Sequence, residues 1–334
     1  MGDIIVSGLS ASEEVFPLVL ENKTSTATLA DMKNWLKKNL TELKARLDTS
    51  GAILLRDFPV RTDQEFDEVV ASFGYKTFTY EESLSNAVRV NRTPRVFTAN
   101  EAPPSEGIFL HNEMAQTPIF PTRLFFFCEQ AAETQGETSL CPCDKLYDRL
   151  LEIDPDFVKA CEDKGVKYTN LMPNGDNPDS GQGRGWQATL GAKDRQEAEV
   201  RLEELGYSWT WLDDGSLGAT SAALPAIRHF KDGKSVFFNQ LIAAYQGWGD
   251  VSHLGAKVVC FGDGSDIHDA QMQKVIKAAD ALVFDVPWQN GDVAVVDNFL
   301  VMHGRRPFTG KRTVLASFAT EEEGTSLQSS RSPA

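Results

Sequence analysis

A stretch near the end of the chain decides the fold: Gly291-Asp292-Val293-Ala294-Val295-Val296-Asp297-Asn298-Phe299-Leu300-Val301-Met302-His303. A Gly-Asp turn leads into two apolar, Val-rich runs, which predicts consecutive strands over 292–297 and 299–303. His303 ends the second run. A single histidine in this position is most often a hydrogen-bonded core residue, so a functional role for it depends on partners elsewhere in the chain.

Strand-forming runs also occur on both sides of this stretch. They cover 52–59, 123–129, 208–212, 225–230, 234–240, 281–286 and 312–320. Apolar residues at helical spacing or charged patterns predict helices over 29–49, 63–73, 143–164 and 193–205. Because the helices are concentrated at the N-terminus and in the middle, we expect an antiparallel β core rather than a doubly wound fold, in which strands and helices alternate throughout.

The expected organisation is one domain, mainly β with flanking helices, over residues 1–320. It has an N-terminal helical segment and a helical insert near 143–205. Six glycines and prolines between Pro173 and Gly185 predict a long loop. The polar, Ser-rich residues 321–334 are expected to be disordered.

The charge of the chain excludes some classes of partner. The formal net charge is −15 and the pI is about 4.8, whereas nucleic acid and anionic membranes require a cationic surface. No apolar run reaches the ~18 to 20 residues that span a bilayer. Five cysteines, an odd number, and the absence of a secretory leader favour the cytoplasm. The sequence does not indicate an oligomeric state.

A second segment, Leu110-His111-Asn112-Glu113-Met114, provides partners for His303. In a strand, residues i and i+2 project from the same face about 6 to 7 Å apart, so His111 and Glu113 could share a metal ion. An exposed polar pair at a strand end is the alternative. Two histidines and one carboxylate form the facial triad that suits non-haem Fe(II) and O2, with three coordination positions left open.

With Arg312 nine residues after His303, and with Gly136-Glu137-Thr138, the chain resembles the taurine dioxygenase / clavaminate synthase-like family of Fe(II)- and 2-oxoglutarate-dependent oxygenases. The resemblance covers about residues 50 to 320. The family fold implies a double-stranded β-helix (jelly-roll, cupin-like) core. By position, His111, Glu113 and His303 match the iron ligands, and Arg312 and Thr138 match the residues that bind the distal carboxylate of 2-oxoglutarate.

The resemblance implies that 2-oxoglutarate and O2 are converted to succinate and CO2 while a C–H bond of a small molecule is oxidised, by hydroxylation, desaturation or cyclisation. An amino acid or another small carboxylate is the expected substrate. Related halogenases have a small residue in place of Glu113, so halogenation is disfavoured. Ala316 stands where taurine dioxygenase-type members have a second arginine, which argues against a sulfonate.

Substrate contacts are only weakly indicated. Arg184, in the Gly-rich loop, could bind a carboxylate or be a solvated loop residue. Asn239 could face the barrel or make a strand-end hydrogen bond. Asp297 and Asn298 could orient His303, as metal-bound imidazoles usually require, or cap a turn.

Two other functions fit the same ligands. A cupin-like hydrolase or isomerase could bind Zn or Mn, but would not need a dicarboxylate-binding arginine. A non-catalytic small-molecule binding protein would be expected to have lost a ligand.

Overall fold

The computed structural model describes residues 4–9, 15–79, 84–85, 87–177 and 183–321. The predicted disordered tail therefore lies outside the described residues, apart from Glu321. The helices are α1 (Leu29–Ser50), α2 (Asp63–Ser72), α3 (Cys143–Ile153), α4 (Pro155–Lys164), α5 (Trp186–Leu190), α6 (Arg195–Glu204), α7 (Leu241–Gly247) and α8 (Asp269–Asp280). None of these helices is both long and apolar enough to cross a membrane.

Strands account for much of the remaining described chain. They are β1 (Val6–Ser7), β2 (Leu18–Asn22), β3 (Ala52–Arg56), β4 (Lys76–Phe78), β5 (Phe97–Thr98), β6 (Ile108–His111), β7 (Arg123–Gln130), β8 (Thr134–Gln135), β9 (Thr138–Pro142), β10 (Val166–Met172), β11 (Ser208–Trp211), β12 (Leu217–Thr220), β13 (Ile227–His229), β14 (Ser235–Phe237), β15 (Val259–Phe261), β16 (Phe284–Val286), β17 (Val293–Asp297), β18 (Val301–Arg305), β19 (Phe308–Thr309) and β20 (Thr313–Thr320).

The larger sheet has the strand order β1-β2-β3-β17-β7-β20-β4, and β5 also pairs with β20. Its pairings are antiparallel except that of β2 with β3. Its central strands are buried on both faces. Phe125 and Phe127 of β7 point towards α1 and α2, whereas Phe126 belongs to the core on the opposite face. A strand covered on both sides is continuously apolar, which explains the run Leu124-Phe125-Phe126-Phe127.

The smaller sheet contains the histidines. Its order is β16-β9-β18-β6, and all its pairings are antiparallel. Leu110, Leu140 and Met302 of this sheet share one hydrophobic core with Phe126 and Ala316 of the larger sheet. The two sheets thus pack against each other through this core, as in a β sandwich.

The first helix shows how the sequence sets local structure. Thr28 and Asp31 form a capping box at the start of α1, and Gly51 ends the helix with φ 75°. A Cβ at Gly51 would lie 2.7 Å from a methyl group of Val301. A glycine therefore allows both the left-handed turn and the close contact of α1 with β18.

The central segment is more complex than the predicted helical insert at 143–205. The predicted helix over 143–164 is divided into α3 and α4 at Asp154, whose side chain caps α4 ahead of Pro155. Between β9 and β16 the chain also forms β10 to β15, α7 and α8, and a sheet of order β11-β12-β10-β15. The described parts of the predicted loop, 173–177 and 183–185, contain no helix or strand.

Candidate metal centre

Two histidines and one glutamate meet at the edge of the smaller sheet. His111 ends β6 and is the cross-strand partner of His303 on β18, with ring centroids 4.3 Å apart. Nε2 of His303 lies 3.5 Å from Oε2 of Glu113, and Nε2 of His111 lies 4.0 Å from the same oxygen. One ligand atom from each residue lies within 4.8 Å of the other two. The structure thus brings together the three residues that were predicted as metal ligands.

Glu113 is held by its backbone rather than by a strand. Strand β6 ends at His111, so the expected placement of both residues in one strand is wrong. The Glu113 N–H donates to Oδ1 of Asn298 (2.8 Å), and Nδ2 of Asn298 donates to the Glu113 carbonyl (3.0 Å). Asn298 is fully buried. The predicted role of Asn298 next to His303 is therefore corrected, because its amide positions Glu113.

Asp297 has the second of its two predicted roles, the capping of a turn. It accepts the Phe299 N–H at 2.9 Å and forms an ion pair with the buried Arg123 at 3.1 Å. Nδ1 of His303 has no hydrogen-bond partner among the described residues. Asp297 therefore organises the turn between β17 and β18 rather than the imidazole.

Gly304 allows the two histidine strands to approach each other. A Cβ at this position would lie 2.5 Å from the carbonyl oxygen of Ile108. The pairing of β18 with β6 also shifts register between His303 and Arg305. The glycine after His303 is therefore required for the β18–β6 contact that brings the imidazoles together.

The protonation states at the site suit metal binding. Nδ1 of His111 contacts the Phe109 carbonyl at 2.8 Å, which fixes Nδ1 as the donor and leaves the lone pair of Nε2 available. Burial and the neighbouring His303 lower the pKa of His111 to about 4. Burial alone would raise the pKa of Glu113, but Arg89 and the two imidazoles lower it to about 2. A neutral imidazole and an ionised carboxylate are the forms that bind metals.

The donor set fits iron. Two imidazole nitrogens and a carboxylate oxygen suit Fe(II), and cis ligands at about 2.1 Å from a metal lie about 3 Å apart. Small side-chain movements would close the observed 3.5 and 4.0 Å separations to that distance. The residues present therefore fit an octahedral metal with open positions.

A cavity of about 320 Å³ opens onto these ligands and is also lined by Thr138 and Arg312. Nε of Arg312 donates to the Gly136 carbonyl at 2.7 Å. Burial and the nearby Arg305 lower the pKa of Arg312 to about 10, so it is charged at neutral pH. No carboxylate of the described chain pairs with it. A fixed guanidinium without an acidic partner is suited to an anionic ligand.

Thr138 is oriented by a residue that the sequence did not indicate. Nε1 of Trp288 donates to Oγ1 of Thr138 at 3.0 Å. Because an indole N–H only donates, the threonine oxygen is the acceptor in this bond, and its own proton remains to be donated. The hydroxyl can therefore donate to a ligand in the cavity.

The two predicted substrate residues lie outside the residues that line this cavity. Arg184 donates to the carbonyl oxygens of Ser85 (3.0 Å) and Ala188 (2.7 Å). Asn239 is fully buried, and its side chain bonds the backbone of Ala226 and Leu241. Arg184 thereby contacts the backbone of Ser85, which lines the cavity, and a direct substrate role for Arg184 or Asn239 stays a prediction.

Four other cavity residues were not singled out in the sequence analysis. Arg305 donates to the carbonyls of Asn100, Ala102, Pro103 and Glu106 at 2.7 to 3.3 Å, which holds the 100–106 loop as one wall. Gln116 and Gln240 contribute buried amides. Arg89 contacts Glu113. Only Arg305 belongs to a motif, the segment His303-Gly304-Arg305.

The sheets and this site define a class: a β-sandwich metalloprotein with a two-histidine, one-carboxylate centre and a nearby anion-binding arginine. Residues 14–317 match the model of the taurine catabolism dioxygenase TauD, TfdA family. The chain belongs to this family, and it is a non-haem Fe(II)- and 2-oxoglutarate-dependent dioxygenase that uses Fe(II), 2-oxoglutarate and O2. The predicted family, enzyme class and cofactors are confirmed.

Relatives and solved structures agree with this assignment. The chain is 38% identical to a clavaminate synthase-like protein of Arabidopsis thaliana over 87% of its length and 86% of the relative. It is 29% identical to the dapdiamide synthesis protein DdaC of Enterobacter agglomerans, over 80% and 82% of the two chains. A solved asparagine oxygenase, in complex with Fe(II), hydroxyasparagine and succinate, is 13% identical with a TM-score of 0.52 over 89% and 87% of the two chains.

Proposed function

We propose that this enzyme oxidises a C–H bond of an amino acid or another small carboxylate. His111, Glu113 and His303 hold the iron, and Thr138 and Arg312 bind 2-oxoglutarate, on a double-stranded β-helix core formed by the two packed sheets. One observation carries the proposal. The three metal ligands face the same cavity as a buried guanidinium that has no carboxylate partner in the described chain.

Different groups bind the two ends of 2-oxoglutarate. Arg312 offers its terminal nitrogens to the distal carboxylate while its Nε stays bonded to Gly136. Thr138 donates its hydroxyl proton to the same group, held in place by Trp288. The bound iron supplies the oxidative chemistry of O2 at the other end. The protein thereby orients the cosubstrate and leaves room beside it for the substrate.

The substrate side of the cavity is rich in hydrogen-bonding groups. Oε1 of Gln116 is buried and has no partner among the described residues. Nε2 of Gln240 donates to the Asn112 carbonyl at 3.1 Å. The other atom of this amide, Oε1 of Gln240, is therefore directed away from Asn112. A buried acceptor without a partner is costly, so a ligand with an ammonium or amide donor would satisfy it. This supports an amino acid, the class of product named for the asparagine oxygenase.

The small side chain of Ala316 argues against a sulfonate substrate. It is fully buried on β20, opposite Phe97 and Phe126, and presents only a methyl group. The position that carries a second arginine in taurine dioxygenase-type members thus offers no cation for a sulfonate here. A metal hydrolase or isomerase is disfavoured because it would have no use for Arg312.

Anaerobic addition of Fe(II) and then 2-oxoglutarate tests the ligand assignment. We expect the weak visible charge-transfer band of the chelate in the wild type and in His229→Ala, an exposed histidine on β13. His303→Ala should show no band. A wild type without the band, or a band of normal intensity in His303→Ala, would contradict the proposal. A screen of amino acids and small carboxylates for stimulated succinate release would then identify the substrate class.

A further inference from the structure

Arg89 is a buried cation next to the metal ligand Glu113. It lies in a segment without helix or strand, and its guanidinium packs over the rings of Phe97 (5.5 Å) and Phe318 (5.0 Å). Only 6% of its side chain is exposed. The two aromatic contacts fix the direction of the guanidinium, because planar guanidinium groups stack on aromatic faces.

Arg89 lies near both oxygens of Glu113, whereas the contacts of the two imidazoles are to Oε2. Oε2 faces the imidazoles, 3.5 Å from His303 and 4.0 Å from His111. Nη2 of Arg89 lies 3.2 Å from Oε2 and 3.4 Å from Oε1, within reach of both. A metal between the imidazoles would take Oε2, and Oε1 would remain for Arg89.

We propose that Arg89 is a positioning residue that keeps Glu113 a one-oxygen ligand. This inference rests on the proposed function, in which Glu113 binds the iron. A glutamate has one more rotatable bond than an aspartate, and a free carboxylate can bind a metal through both oxygens. Arg89 removes this freedom from the outer end, and Asn298 removes it from the backbone end.

Arg89 affects how many coordination positions of the metal stay open. A facial triad leaves three of them, and 2-oxoglutarate needs two and O2 needs one. A Glu113 that bound through both oxygens would occupy one of these three. Arg89 therefore preserves the capacity of the metal to accept both cosubstrates through its contact with Glu113.

The test compares Arg89→Met with Arg228→Met. Arg228 also packs over aromatic rings, at 4.8 Å from Phe238 and 5.0 Å from Phe120, but it does not line the cavity. The dissociation constant of Co(II) is measured first, because a second carboxylate oxygen on the metal would displace a water and strengthen metal binding. The dissociation constant of 2-oxoglutarate is then measured without O2.

We expect Arg89→Met to bind Co(II) at least as tightly as the wild type but 2-oxoglutarate at least about tenfold more weakly. The second change follows because the hydrogen bond from Arg89 no longer opposes two-oxygen binding by Glu113, and one hydrogen bond to a charged group corresponds to about this factor. Arg89→Lys should recover part of the affinity, and Arg228→Met should match the wild type. Where Arg89→Met does not fold, Arg89→Gln keeps a polar side chain but loses the charge, and the same changes are expected. Wild-type 2-oxoglutarate affinity in a folded Arg89 variant, or a loss of Co(II) affinity that parallels the loss of 2-oxoglutarate affinity, would overturn the inference. Failure of the wild type to bind 2-oxoglutarate would instead overturn the proposed function.

Discussion

Replacement of Arg312 by methionine removes the group that we assign to the distal carboxylate of 2-oxoglutarate. The Nε–H bond to Gly136 at 2.7 Å already fixes the plane of the guanidinium, so the terminal nitrogens are pre-oriented and little rotamer entropy is lost on binding. Two hydrogen bonds between charged groups contribute about 1.5 to 3 kcal/mol each. Since water reaches the cavity, we take the lower end, about 3 kcal/mol in total, which corresponds to roughly 100-fold weaker binding.

The assay is an anaerobic titration of the Fe(II) protein with 2-oxoglutarate, followed by the visible band of the chelate. Arg312→Lys keeps the charge but loses the planar pair of donors, so its binding should be weakened by roughly tenfold. Fe(II) affinity should stay the same in both variants, because Arg312 is not a metal ligand. A dissociation constant within twofold of the wild type in Arg312→Met would refute the assignment of this residue.

The ionisation of Arg312 gives this prediction a pH dependence. Burial and Arg305 lower its pKa to about 10. The guanidinium is charged below that pKa, so affinity for the cosubstrate should be flat from about pH 7 to about pH 9 and fall as the pH rises through about 10. A marked decrease between about pH 7 and about pH 9 would show that another group controls binding.

Three further substitutions test the supports of the site. Asn298→Asp keeps the acceptor for the Glu113 N–H, but the carboxylate has no donor for the carbonyl oxygens of Glu113 and Pro121. We expect a loss of about 2 to 4 kcal/mol in unfolding free energy and weaker metal binding. Denaturation curves equal to those of the wild type would contradict this. Trp288→Phe removes the donor to Thr138 and should raise the 2-oxoglutarate dissociation constant about fivefold. An unchanged dissociation constant would show that the indole contributes only packing. Arg305→Met should release the 100–106 loop and speed its proteolytic cleavage, and unchanged cleavage would show that other contacts hold it.

Much of the sheet structure could be predicted from local pattern. Strands β7, β17 and β20 are long apolar runs, and α1 has clear helical spacing and a capping box. The pairing of strands could not be predicted from local pattern, because the choice of partner strand and its register depend on contacts between segments far apart in the sequence. The parallel pairing of β2 with β3 and the sheet around β10 are examples.

Three described helices were missed for physical reasons. Helix α5 has five residues and directly follows the Gly-rich loop, so it is too short to show a period. Helix α7 has seven residues and follows the strand-like run at 234–240, so it is too short to show a period. Helix α8 buries Met272, Val275, Ala278 and Ala279. Because the two alanines are only weakly hydrophobic, the buried face differs little in hydrophobicity from the polar face. The helical periodicity of this segment is therefore hard to recognise in the sequence.

The metal ligands were predictable, whereas their supports were not. His111, Glu113 and His303 have a recognisable combination of residue types, and the structure brings them together. Arg89 lies 24 residues before Glu113 and has no spacing that links it to the motif. Arg184 was predicted as a carboxylate-binding residue from its charge and its loop, and the carbonyls that accept from both of its terminal nitrogens have no signal in the sequence.

The fate of the two atoms of O2 tests the oxygenase assignment most directly. The wild-type protein is incubated with Fe(II), 2-oxoglutarate, a mixture of amino acids and ¹⁸O2, and the succinate is analysed by mass spectrometry. We predict succinate that carries one ¹⁸O atom, and none above background from His303→Ala. Absence of succinate, or succinate without the label, would contradict the assignment of this site to an Fe(II)- and 2-oxoglutarate-dependent dioxygenase.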